Sequence, residues 1–140
     1  MRRTTRTKRR ADLLSVSEHL RSFAEAFLRA HLAALNRDEK ERFRSETAIG
    51  SFPSAFDIYY RDLRAEAPVT LEDVEASDVE TRSQVAREAS GRAFAYRVRV
   101  SGSLVGTRRT TPFTVTVWVD DEGRKAKVAG VIRPGHDTRS

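Results

Sequence analysis

The segment RAFAYRVRVSGSLVGTRRTTPFTVTVWVDDEGRKAKVAGVI, residues 92–132, decides the fold. Phe94, Tyr96, Val98, Val100 and Leu104 fall on one parity, and Arg92, Ala93, Ala95, Arg97 and Arg99 lie around or opposite them. A period of two residues is that of a strand with one buried face. The pattern repeats in TPFTVTVWVD, where Phe113, Val115, Val117 and Val119 point one way and Thr114, Thr116 and Trp118 the other. Asp120, Asp121, Glu122 and Gly123 supply turn chemistry before a third run, Lys125 to Ile132. The expected product is a curled antiparallel sheet with one apolar face.

Upstream, helices come first. Taken at about 100° per residue, Leu13, Val16, Leu20, Phe23, Ala24, Phe27, Leu28, His31, Ala34 and Leu35 share one arc of a helix over residues 11–35. Ser15 and Glu18 have capping-box spacing and Asn36 is a stop signal. Residues 38–46 predict a short charged surface helix whose one large apolar residue is Phe43. A third helix opens at Phe52-Pro53, with Phe52, Phe56, Tyr59, Tyr60 and Leu63 as its stripe, and ends at Ala67-Pro68. Strands follow: Val69 to Ala76, with a parity shift between Leu71 and Val74 that predicts a bulge, then a weaker strand over Val79 to Ala86. Six acids and no base lie between Glu66 and Glu80.

The chain has 140 residues, the size of one domain able to bury a core without staples. It has no cysteine, which excludes disulfides, thiolate metal sites and thiol nucleophiles. Arg2, Arg3, Arg6, Lys8, Arg9 and Arg10 sit among the first ten residues with no acid. Removing these six from 26 Lys and Arg leaves 20 against 20 Asp and Glu, so the net charge of +6 belongs to this arm. With no apolar side chain after Met1, residues 1–10 are expected to be a disordered arm; residues 11–133 form the domain and 134–140 a flexible tail. No apolar run approaches the ~18 residues of a membrane span, and none follows the arginines as a secretory leader requires. A cytoplasmic protein is expected.

Three N-terminal helices packed on a strongly bent antiparallel sheet of four to six strands is an α+β order. On SVSEHLRSFAEAFLRAHLAAL, FDIYYRDL and YRVRVSGSLVGTRRTTPFTVTVWVDDEGRKAKVAGVI, residues 11–133 resemble the nuclear transport factor 2-like superfold, also called SnoaL-like or cystatin-like. The resemblance implies a cone with its mouth between the long helix and the concave sheet. It also implies one of two lives: a small-molecule isomerase, dehydratase, cyclase or hydrolase, or a non-catalytic binding or assembly module such as the soluble domains of type IV secretion and conjugation components. Fold alone does not choose between them.

An enzyme of this kind carries a carboxylate base or a His/Asp pair in the cone, and the inward parity of the sheet holds no acid. His31, in the apolar arc, is the exception: beside Tyr59, Tyr60 or Tyr96 it could act as a general base, or it could be a core histidine bonded to a backbone carbonyl. Phe27, His31, Tyr59, Tyr60, Phe94 and Tyr96 are the expected pocket lining, with His31, Asp57 and Tyr60 the catalytic candidates. Asp57 alternatively pairs with Arg61, four residues on. His19 and His136 complete no metal set, so neither metal nor cofactor is expected. Arg97, Arg99, Thr114, Thr116, Trp118, Lys125 and Lys127 share the outward parity, which suits a homodimer or partner interface anchored by Trp118, a solvated face, or a nucleic-acid surface. The acids of residues 66–80 are placed to neutralise its bases. The arm has three readings as well: a sequence-blind tether to nucleic acid, a tether to an anionic membrane surface, or a solvated tail.

Overall fold

In a computed structural model of the chain, residues 2–81, 95–120 and 122–132 are described, with side chains for 16–80, 95–120 and 122–132. Helices come first: α1 (Arg2–Asn36), α2 (Lys40–Ser45), a short 3-10 helix (Ala48–Ser51) and α3 (Pro53–Arg64). Four strands follow, β1 (Thr70–Thr81), β2 (Tyr96–Val105), β3 (Thr110–Val119) and β4 (Ala126–Ala129). They pair antiparallel in the order β1-β2-β3-β4, an open sheet. The fold is α+β.

The backbone of α1 is helical from Arg2, where the sequence predicts an unstructured arm, and Ser15 is therefore interior rather than a cap. Arginine and lysine are good helix formers and residues 2–10 hold neither Gly nor Pro, so a helix nucleated downstream can extend back through them. At the other end the chain turns in a Schellman motif. Glu39 N donates to Ala34 O and Asp38 N to Leu35 O, with Asp38 in the left-handed region at φ 58°. Asn36 bonds across to the sheet instead. Its Oδ1 accepts from Val69 N at 2.7 Å and its Nδ2 donates to Val69 O at 2.9 Å, fixing α1 to the entry of β1. Arg64 Nη1 donates to Leu35 O at 3.0 Å and so joins α3 to the same corner.

Leu20, Ala24, Leu28, Leu32 and Leu35 of α1 pack on Val98, Val100, Val115, Val117 and Val119 of the sheet, all buried. Each fully buried Val or Leu contributes about 1.5–3 kcal/mol relative to an exposed one. Phe43 differs from expectation. The charged helix α2 drives it wholly inside, against His31, Phe56, Tyr59 and Tyr60. Phe52 differs in the opposite sense, 65% exposed as the residue that caps α3, before the helical period begins.

The two strands expected between Val69 and Ala86 begin as one. β1 runs unbroken to Thr81 and absorbs two register shifts, between Glu72 and Glu75 and between Ser77 and Val79. Asp73 (φ 52°) and Asp78 (φ 48°) take the left-handed conformation there, which aspartate tolerates better than most residues. Gly102 lies opposite the first shift, where a Cβ would stand 2.9 Å from Glu72 O. The predicted continuation to Ala86, Phe94 and the predicted tail of residues 134–140 lie outside the described residues.

Candidate functional site

Two places on the sheet carry polar chemistry. The first is inside, where α1 meets α2. His31 is 1% exposed, its ring stacked on Phe43 with centroids 3.9 Å apart. Its Nδ1 lies 2.9 Å from Glu46 Oε1, and Arg42 Nε lies 3.5 Å from the other oxygen of that carboxylate. The partner is thus a side-chain carboxylate, in place of the backbone carbonyl the sequence offered. Glu46 is held by its own backbone, since Val128 N of β4 donates to Glu46 O at 2.8 Å. Burial lowers the His31 pKa below its ordinary value, the hydrogen bond and charge of Glu46 push it back up, and Arg42 lowers it again. The ring is neutral at pH 7, with Nδ1 facing the carboxylate and Nε2 buried without a hydrogen-bond partner among the described residues.

The expected pocket residues surround this point without opening it. His19, Phe23, Phe27 and His31 stack in turn along α1 at four-residue spacing. Tyr59 and Tyr60 pack on Phe43, but neither phenol is spent on His31. Tyr59 Oη accepts from Ile132 N at 3.3 Å, and burial pushes this phenol up to about 12. Tyr60 Oη donates to Asp38 Oδ1 at 2.6 Å, and burial with that carboxylate raises its pKa as well. Tyr96 is half-buried against the core. Asp57 faces away: it is exposed and pairs with Lys40 Nζ at 3.1 Å, whereas the expected partner Arg61 lies 3.9 Å from Asp62.

Clefts lie elsewhere. One of about 190 Å³ is lined by Glu41, Arg44, Ser45, Thr47, Gly50, Ser51 and Lys127. Another of about 250 Å³ lies between α1 and the start of β1, around Leu32, Asn36 and Leu71. His31 and Glu46 line neither. Among the described residues no group of three or more metal-ligating side chains converges, and no helix is long and apolar enough to cross a membrane.

The second place is the outer face of the sheet, opposite the helices. The register sets Glu80, Arg97, Trp118 and Lys127 in one row across all four strands, and Ser77, Arg99, Thr116 and Ala129 in the next. Thr114 lies on the same face beside Ser101, while Lys125 falls in the turn before β4. Acids of β1 meet the bases of β2, Arg97 Nη2 at 3.2 Å from Glu80 Oε1 and Arg99 Nη1 at 3.3 Å from Asp78 Oδ2. The sequence-expected face residues other than Lys125 are thus brought together on one surface.

Glu46, Arg42 and Phe43 were not among the sequence candidates. Fifteen residues separate His31 from Glu46, and only the angle between two helices joins them. No protein-family model, no curated protein and no solved structure matches the chain.

Proposed function

We propose that this chain is a non-catalytic binding or assembly module of the nuclear transport factor 2-like type. It pairs with a second copy through the outer face of its sheet and is tethered to an anionic partner through Arg2, Arg3, Arg6, Lys8, Arg9 and Arg10. One observation carries most of the weight. The inner face of the sheet is filled to closure by α1, while the outer face presents a continuous row of paired charges and threonines with Trp118 among them. Flat sheet faces with an aromatic anchor and a polar surround have the make-up of an interface. Sedimentation equilibrium of the full chain tests it: a dimer that Trp118→Ala weakens is expected, and a monomer at every concentration would end the proposal. For the arm, removal of residues 2–10 should abolish salt-sensitive retention on DNA, RNA or anionic vesicles, and the surface that loses it identifies the partner class.

The pair His31–Glu46 favours a second reading, a small-molecule enzyme using His31 as a base oriented by a carboxylate. Reaction with diethyl pyrocarbonate separates the two. A closed core histidine stays unmodified in the native protein, while an accessible base reacts at a rate near that of free histidine.

A further inference from the structure

The outer face is self-complementary in one orientation. Its end row reads Glu80, Arg97, Trp118, Lys127 from β1 to β4. Resting on the dimer reading above, we propose that two copies pack sheet to sheet about a twofold axis that lies in the interface and runs parallel to the strands.

Such an axis reverses the strand order while keeping positions along the strand. Each row then meets itself read backwards, as an isologous interface requires. Glu80 stands over Lys127 of the second copy, and Arg97 stands over the indole of its Trp118, so symmetry makes two ion pairs and two cation–π contacts. In the next row Ser77 meets Ala129 and Arg99 meets Thr116, small groups that let the faces approach. The alternative in-plane axis, perpendicular to the strands, lays β1 on β1 and β2 on β2. It sets the acids Glu72, Glu75 and Glu80 against their own copies and Arg97 and Arg99 against theirs. Like-charge contacts of that kind are what suppress wrong orientations.

Twist rotates aligned sheets about 30° from one another, which displaces the edge strands more than the middle ones. The central Arg97–Trp118 contact is therefore the anchor and the Glu80–Lys127 pairs are the rim. Four strands about 4.8 Å apart and about 33 Å long cover on the order of 600 Å² per copy. A standard interface covers about 800 Å² per partner. The dimer is thus of modest affinity and weakens with salt.

Charge swaps at the rim decide the axis. By sedimentation equilibrium at low salt, Lys127→Glu or Glu80→Lys alone should each weaken the dimer by roughly tenfold, and the two changes in one chain should restore it. On the perpendicular axis either single change relieves a like-charge contact and strengthens the dimer, which would overturn the proposal. So would a double variant no tighter than the singles. Far-UV circular dichroism confirms that each variant is folded, and Glu80→Gln, which adds no cation beside Arg97, is the milder second form and should weaken the dimer by a smaller factor. The chain has one tryptophan, so Trp118 emission reports the anchor directly: it should shift with protein concentration in step with dimerisation. A dimer whose formation leaves that emission unmoved refutes the anchor. A wild-type monomer removes the dimer reading itself, whereas a wild-type dimer with the wrong response to the swaps removes only the axis.

Discussion

The two faces of the sheet are built from the same three strands of alternating residues and serve opposite ends. On the inner face of β2 and β3, Val98, Val100, Leu104, Phe113, Val115, Val117 and Val119 are all buried, and the helices leave no open ground above them. On the outer face the neighbours of those residues in sequence are arginines, serines and threonines, and charge is balanced across strands by Glu80 and Asp78. Stability is concentrated on one side because apolar area leaves water only there. Recognition is left to the other, where a change of side chain costs the fold little. The one polar cluster on the inner side, His31 with Glu46, shows what burial does to chemistry: it fixes the ring and shuts it from solvent.

The largest test of this division is Phe43→Ala. The ring is fully buried among His31, Phe56, Tyr59 and Tyr60, and its loss should cost about 3–5 kcal/mol in urea unfolding. Thr114→Ala on the outer face should stay within about 0.5 kcal/mol of wild type. Equal costs would erase the distinction. Next in size is the turn that joins β3 to β4. Burial by itself would raise the Asp120 pKa, but the N–H groups of Arg124, Lys125 and Gly123 outweigh it and hold the carboxyl below its ordinary value. Its Oδ1 accepts from Arg124 N at 2.8 Å and Lys125 N at 3.1 Å. Hydrogen bonds to a charged acceptor bring about 1.5–3 kcal/mol, and Asp120→Ala should lose that amount in the same assay.

How much of this was legible follows from which forces are local. The valine alternation of β2 and β3 reads directly, because a period of two has one geometric meaning and the buried face is the one it marks. The parity shift after Leu71 likewise pointed to a bulge, and the register places one between Glu72 and Glu75. A second shift at Asp78 looked like the end of a strand, since sequence cannot tell a bulge from a break. Phe52 fell on the stripe by spacing, yet Pro53 starts the helix after it, so the helical period does not apply. Phe43 was hidden for the converse reason, one apolar residue among charges on a six-residue helix having no periodicity to show. Tertiary pairs were the least legible. Asp57 had Arg61 at helical spacing and took Lys40 of another helix, and Glu46 reached His31 only through the packing of α2 on α1.

The inner cluster can be probed by pH. Burial holds the His31 pKa below 6.5 in the folded chain, so as pH falls through the unfolded value the unfolded chain takes up a proton that the folded one refuses. The contribution is present above about pH 6.5 and is lost as pH falls towards the folded value. The slope has a limit of about 1.4 kcal/mol per pH unit for one proton. Glu46 opposes the loss and Arg42 adds to it, both facing the ring from α2 and its end. Urea midpoints between pH 7 and 5 should fall for wild type and fall less for His31→Gln; identical profiles would mean that another group carries the acid sensitivity.

The smallest effect belongs to the outer face and separates charge from backbone. Asp78 pairs with Arg99 at 3.3 Å, both more than half exposed, and an exposed pair of this kind contributes little after screening. Asp78 also sits at φ 48°, a conformation that asparagine shares and alanine resists. Asp78→Asn therefore removes the charge and keeps the bulge, and its stability should lie within about 0.5 kcal/mol of wild type. Asp78→Ala adds the left-handed penalty of about 1 kcal/mol, so the gap between the two variants measures the bulge alone. If Asp78→Asn proves the costlier of the two, the outer face draws its stability from charge, and the contrast with the apolar inner face has to be redrawn on that side.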